Sequence, residues 1–129
     1  MALSEQLNTL SERVIGAAIE VHRHLGPGLL ESAYQRCLEA ELHLRQISFS
    51  AEVPLPVRYK DEPLDCAYRL DLVVENSIIV ELKAVDDLSP IHTAQLLTYL
   101  KLRHLRLGLI INFNVPVLWR GVRRIVRDL

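Results

Sequence analysis

Two apolar, β-rich stretches, Cys66–Val74 and Ile78–Val85, are separated only by Glu75-Asn76-Ser77. So short a polar break between strand-forming runs predicts an antiparallel hairpin. Three ionisable residues interrupt these runs: Asp71 in the first, Glu81 and Lys83 in the second. Side chains alternate along a strand, so Glu81 and Lys83 share one face while Val80 and Leu82 take the other. Burying charge is costly unless it is paired or held by a metal. The register decides whether Asp71 joins them. With all three of residues 75–77 in the loop, Val74 faces Ile78 and Asp71 faces Glu81, and opposed residues point the same way. A two-residue turn at Asn76-Ser77 would place Asp71 and Glu81 on opposite faces and break the site.

Two carboxylates and a lysine on one face have a chemical use. Magnesium takes oxygen ligands, often one or two carboxylates with several waters and a substrate phosphate. It lowers the pKa of a bound water and neutralises charge on a phosphate. Lys83 could hold the attacking water or a phosphate oxygen. Lysine is scarce, with Lys60, Lys83 and Lys101 against twelve arginines, so a lysine at 83 does not simply follow local abundance. The plain alternative is a Glu81–Lys83 ion pair on a solvated sheet surface.

The rest of the chain frames this hairpin. Leu7, Leu10, Val14, Ala18, Val21 and Leu25 recur at three- and four-residue steps, predicting a helix over 4–25 that Gly26-Pro27-Gly28 stops. A second helix is expected over 29–45, with Leu30, Ala33, Tyr34, Cys37, Leu38 and Glu41 on one side and Glu31 in its first turn. Phe49–Tyr59 alternates Val53, Leu55 and Val57 with Pro54 and Pro56, which suits an edge or irregular strand. Lys60-Asp61-Glu62-Pro63 reads as a turn. Ser89-Pro90 starts a helix expected to reach Arg103, with serine as cap and proline at the first helical position. Leu107–Asn112 reads as a strand buried on both faces. Val117–Trp119 and Val122–Val126 are expected to pair as a last hairpin around Arg120-Gly121. The helix between Val85 and Leu107 permits a parallel crossover in a mixed sheet.

At 129 residues, half of them hydrophobic, the chain suits one domain spanning 1–129. No apolar stretch is long enough for a membrane span, and the N-terminus lacks the basic start and apolar run of a secretory signal. Cys37 and Cys66 are too few and too far apart for a disulfide framework or a metal set, and read as buried thiols in a reducing cytoplasm. Charge is uneven: residues 1–100 hold 8 basic and 15 acidic residues, residues 101–129 hold 7 basic and one acidic. The basic tail could contact phosphates, or be a solvated face or subunit contact. His22, His24 and His92 are expected to face solvent.

Asp71, nine residues, then Glu81-Leu82-Lys83 resembles the core motif of PD-(D/E)XK nucleases. Gly28-Leu29-Leu30-Glu31-Ser32-Ala33-Tyr34 is similar to the Gly-x-x-Glu-x-x-Tyr signature of the GxxExxY proteins, a family of small bacterial proteins. Tyr68-Arg69-Leu70-Asp71, Glu81-Leu82-Lys83-Ala84-Val85, Ala94–Leu100 and Ile111-Asn112-Phe113-Asn114 look like that family too. The resemblance implies an α/β (α+β) fold with a restriction-endonuclease-like αβββαβ core, a mixed sheet flanked by helices, and an extra N-terminal helix. It implies Asp71 and Glu81 as metal ligands and Lys83 as the catalytic lysine. It assigns Glu31 the first-helix glutamate that assists the metal in RecB-like members. Gln95 and Tyr99 match their Gln-x-x-x-Tyr signature beside the active site. Members carrying an iron–sulfur cluster need four cysteines, and this chain has two. Read without the resemblance, Glu31 also favours a helix N-terminus, and Gln95 and Tyr99, four apart on a helix, could bond within the core.

The leading expectation is therefore an enzyme hydrolysing phosphodiester bonds in DNA or RNA, DNA ahead of RNA, with Mg²⁺ or Mn²⁺ as cofactor. Arg103, Arg106, Arg120, Arg123 and Arg124, with Arg127, are the candidate backbone contacts. The alternative is a non-catalytic, homo-oligomeric binding or assembly protein on the same fold, since strong nucleic-acid binders are usually more basic. Hydrolysis of a small nucleotide is a third reading.

Overall fold

The computed structural model describes residues 3–127, and for residues 65–67 the backbone alone. The elements are α1 (Glu5–Leu25), α2 (Glu31–Leu44), β1 (Phe49–Tyr59), β2 (Glu62–Val74), β3 (Ile78–Lys83), α3 (Pro90–Arg103), β4 (Leu107–Asn112) and β5 (Val122–Val126), with a 3₁₀ turn at Leu118–Gly121. The strands form one sheet in the order β1-β2-β3-β4-β5, and only β3 and β4 run parallel. From α2 to β4 the chain follows the expected αβββαβ order, and α1 is the extra helix.

Local chemistry sets most boundaries. Ser4 Oγ accepts the Leu7 N–H at 3.1 Å and starts α1. Gly26, with φ 67, ends it. Ser89 caps α3 and Pro90 opens it, while His92 Nδ1 accepts the Ser89 N–H at 3.1 Å in a reciprocal cap. Pro54 and Pro56 lie on the edge strand β1, where a missing N–H is tolerated.

The sheet has an apolar layer on each face. α1 and α2 cover one, where Val14, Ala18, Tyr34 and Leu38 pack on Leu72, Val80, Leu82, Leu109 and Ile111. α3 covers the other, with Leu96, Tyr99 and Leu100 on Leu55, Leu70, Ile79 and Ile110. Each buried aliphatic side chain contributes about 1.5–3 kcal/mol. α3 lies tight on β4: a Cβ at Gly108 would fall 2.7 Å from Leu96 Cδ2.

Several expectations change. The turn before β2 is only Lys60-Asp61, both at positive φ (50 and 66), and Glu62 already pairs with Tyr59. This makes the β1–β2 hairpin a long arm. Its Pro63 marks a strand irregularity near Arg58 rather than part of a loop. Residues 118–121 form a 3₁₀ turn, and β5 pairs with β4 rather than with Val117–Trp119. Leu30 caps α2 at 77% exposure instead of joining its apolar side, where Leu42 is buried instead. His22 is buried, its Nε2 2.8 Å from the Val115 carbonyl. Cys37 is a free thiol but only partly buried, and the Cys66 side chain lies outside the described residues.

Candidate active site

The β2–β3 hairpin has the register that brings the charged residues together. Val74 pairs with Ile78, Val73 with Ile79 and Leu72 with Val80. Glu75, Asn76 and Ser77 form the three-residue loop, with Glu75 and Asn76 both at φ 52. Asp71 then stands opposite Glu81, but there the backbone ladder stops. β2 continues against β1, and β3 continues against β4 as far as the pair Lys83–Asn112.

Where the strands part, carboxylates replace the backbone bonds. Glu81 Oε2 accepts the Asp71 N–H at 2.8 Å, and Asp71 Oδ2 accepts the Leu82 N–H at 2.7 Å. The divergence coincides with a break in alternation. Leu72 packs on the α1–α2 side and Leu70 on the α3 side. Opposite Asp71, Glu52 takes a left-handed φ of 50 between the pairs Ala51–Leu72 and Val53–Leu70. The outer part of the β1–β2 arm thus turns its apolar side onto α3.

The electrostatics fit a site short of positive charge. Burial, and then the negative charge of Asp71, push the Glu81 carboxyl up to about 8. Burial also raises Asp71, although the Leu82 N–H and the Lys83 ammonium oppose it. With the charge of Asp71 beside it, the buried Glu81 carboxyl is hard to ionise. Lys83 is half-buried on the same strand face as Glu81.

Two helices close the site. Glu31, the first residue of α2, is exposed on the whole; partial burial of its carboxyl, then the charge of Asp71, raise its pKa, and Lys83 opposes them. Four residues on, Gln35 Nε2 donates to the Asp71 carbonyl at 3.2 Å. Tyr34 fixes this helix start: its hydroxyl donates to the Gly26 carbonyl at 2.6 Å and accepts the Leu29 N–H at 3.1 Å. Its ring stacks on Phe113 at 4.5 Å. From α3, Tyr99 is buried, and its hydroxyl is raised by burial and then by Glu81. Gln95 is exposed one turn earlier.

Asn112 secures the end of β3. It is 2% exposed; its Oδ1 accepts the Val85 N–H at 3.1 Å and its Nδ2 donates to the Val85 carbonyl at 2.9 Å. The Phe113 N–H donates to the Lys83 carbonyl at 2.9 Å. Gly121 allows the close approach of the 3₁₀ turn, since a Cβ there would collide with the Asn112 carbonyl.

A family model for the PD-(D/E)XK nuclease superfamily matches residues 8–125. The chain belongs to that superfamily. Its α+β architecture is the restriction-endonuclease-like one, with α1 added before the core. No curated protein and no solved structure matches the chain.

Within this PD-(D/E)XK domain the expected residues are not all neighbours. Asp71, Glu81, Lys83 and Tyr99 converge, and Glu31 stands at the rim. Among the described residues no group of three or more His, Cys, Asp or Glu forms a ready-made metal site. The close Asp71–Glu81 pair still suits Mg²⁺ or Mn²⁺, which take hard oxygen donors and fill remaining positions with water or phosphate. Arg123 lies level with the site, since Glu81 pairs with Ile110 and Ile110 with Arg123. Arg120 adjoins it, its carbonyl accepting from Arg123 Nη1 at 2.9 Å. Arg103 ends α3 and Arg106 precedes β4, at the opposite end of the sheet from Lys83. Arg124 donates to Asn8 Oδ1 on the α1 side at 2.7 Å. No helix among the described residues is long and apolar enough to cross a membrane.

Gln35 and Glu52 are site-building residues that sequence reasoning passes over, and Asn112 enters it only within Ile111-Asn112-Phe113-Asn114, without a role of its own. Gln35 had a signal, its four-residue spacing from Glu31. Asn112 had another, as the polar end of an apolar strand. Glu52 had none, because its place follows from a left-handed backbone.

Proposed function

We propose that the chain is a metal-dependent nuclease that hydrolyses phosphodiester bonds in DNA or RNA, using Mg²⁺ or Mn²⁺. The observation that carries this reading is the Asp71–Glu81 carboxyl pair, with Lys83 on the same face, where β2 and β3 separate. Asp71 and Glu81 would hold the metal, assisted from the rim by Glu31. When bound, the metal would lower the pKa of a coordinated water and neutralise charge on the phosphate. Lys83 orients the attacking water or stabilises the charge growing on the phosphoryl oxygens. Tyr99, kept protonated, donates a hydrogen bond beside Glu81, and Gln95 reaches the nucleic acid from the next turn. Arg120 and Arg123 take phosphates on the β5 side of the site. The Gly28–Tyr34 segment and the Gln95–Tyr99 pair support membership of the RecB-like, GxxExxY branch.

The test is cleavage of labelled single- and double-stranded DNA and RNA with Mg²⁺, Mn²⁺ or chelator, beside Lys83→Ala and Asp71→Ala. Cleavage by the wild type, lost in both variants and in chelator, is the expected result. A folded wild type that binds no metal and cuts nothing would move the assignment to a homo-oligomeric assembly protein.

A further inference from the structure

The β1–β2 arm carries an exposed aromatic residue close to Asp71. Tyr68 stands on β2 three residues before Asp71, opposite Leu55. Leu55 is buried under α3, but Tyr68 is 53% exposed. Its ring lies 5.5 Å from that of Tyr99, tilted by 45°. Tyr99 in turn is close enough to Glu81 and Asp71 to feel both charges. A half-exposed ring, backed by a buried ring beside the carboxylates, offers an open π-face at the mouth of the site. The exposed Gln95 amide lies four residues before Tyr99 on the same helical face, where it can reach a base edge.

The charge around this platform favours a single strand over a duplex. Glu31, Glu52, Asp71 and Glu81 lie close enough for their charges to interact, with Lys83 among them. Of the tail arginines, Arg120 and Arg123 are level with the site, while Arg103 and Arg106 lie at the far end of the sheet and Arg124 on the α1 face. Duplex binding without sequence reading rests on phosphate contacts by Lys and Arg over both strands. Single strands are held instead by a few basic contacts and by bases stacked on aromatic rings.

Building on the nuclease reading, we propose that Tyr68, backed by Tyr99, is a stacking platform for an unpaired nucleobase, so that the site takes single-stranded nucleic acid. The sugar, deoxyribose or ribose, is left to the test. Tyr68 is thus a specificity-determining residue and takes no part in the bond-breaking step.

Binding in chelator by the full chain separates the platform from catalysis. The probes are oligodeoxyuridylate and oligouridylate, which differ only in the sugar, and a blunt DNA duplex. One or both single strands should bind more tightly than the duplex, and the stronger of the two identifies the sugar. Tyr68→Ala should weaken single-strand binding roughly tenfold or more, and Tyr68→Phe should restore it. Trp119→Ala is the control, an exposed aromatic beside α1. In a Tyr68→Trp/Trp119→Phe chain, which carries one tryptophan, fluorescence should be quenched as the oligonucleotide binds. Tighter binding of the duplex, unchanged binding by Tyr68→Ala, or no quenching during measured binding overturns the platform and leaves the nuclease reading standing. A wild type that neither binds nor cuts any nucleic acid overturns both.

Discussion

Asp71 and Glu81 each hold a hydrogen bond that a continuous β-ladder would otherwise place elsewhere. The Glu81 carboxylate takes the Asp71 N–H at 2.8 Å, and the Asp71 carboxylate takes the Leu82 N–H at 2.7 Å. The two carboxyls are therefore fixed from the main chain, before any metal binds. In the proposed role of metal ligands they would need little reorganisation when a cation arrives.

That arrangement makes the metal-free protein sensitive to alkali. Burial, and then the charge of Asp71, push the Glu81 carboxyl up to about 8 in the folded chain, against 4.5 for an ordinary glutamate. Between those values the folded state binds more protons than the unfolded state, so stability falls as pH rises. The raised Asp71 acts in the same direction. Melting in chelator should start at a lower temperature at about pH 8.5 than at about pH 6, and Glu81→Gln should flatten the slope. A melting temperature that climbs with pH across this range would contradict a buried Glu81 whose carboxyl is raised.

On the proposed nuclease reading, a metal held by Asp71 and Glu81 would displace the proton that burial keeps on Glu81. Calorimetry with Mn²⁺ in buffers of different ionisation enthalpy should report release of about one proton per ion near neutral pH. Affinity should rise with pH up to about 8, where Glu81 loses its proton unaided. Glu31→Gln should weaken binding less than Asp71→Asn, because Glu31 stands at the rim. Binding with no proton uptake or release would remove Glu81 from the ligand set.

Much of this site was legible in the sequence, for definable reasons. The sequence allowed two turns between β2 and β3, and the three-residue loop, with Val74 opposite Ile78, is the one that brings Asp71 level with Glu81. Ser89-Pro90 marked the start of α3 through cap chemistry alone. What escaped depends on backbone geometry or distant packing. Lys60-Asp61 makes a tight turn without glycine, so Glu62-Pro63 looked like loop. The placing of Arg106 and Arg124 away from Lys83 follows from how β4 and β5 join the sheet, which composition does not encode. His22 is buried because α1 packs beside Val115, 93 residues on.

Lys83 should matter to catalysis far more than to folding. It is half-buried and forms no ion pair among the described residues. Lys83→Ala should lower the cleavage rate by roughly 100-fold or more, the usual scale for losing a group that meets transition-state charge. Its melting temperature should stay near that of the wild type. Equal cleavage by Lys83→Ala and wild type would show that Lys83 is not a catalytic group.

Asn112 should matter to both. Its amide bridges the Val85 N–H and carbonyl, and its Oδ1 also accepts the Asn114 N–H at 3.2 Å. Asn112→Leu would leave partly buried backbone groups without partners, at about 1–3 kcal/mol each. The segment leaving β3 would loosen directly after Lys83, so the maximal rate should fall while nucleic-acid binding in chelator holds. Asn112→Asp keeps the acceptor for the Val85 N–H but loses the donor to its carbonyl, and should recover part of the rate. Denaturant melts and cleavage kinetics on the same three proteins decide it. If Asn112→Leu loses stability but cuts at the wild-type rate under folding conditions, Asn112 supports the fold and does not position Lys83.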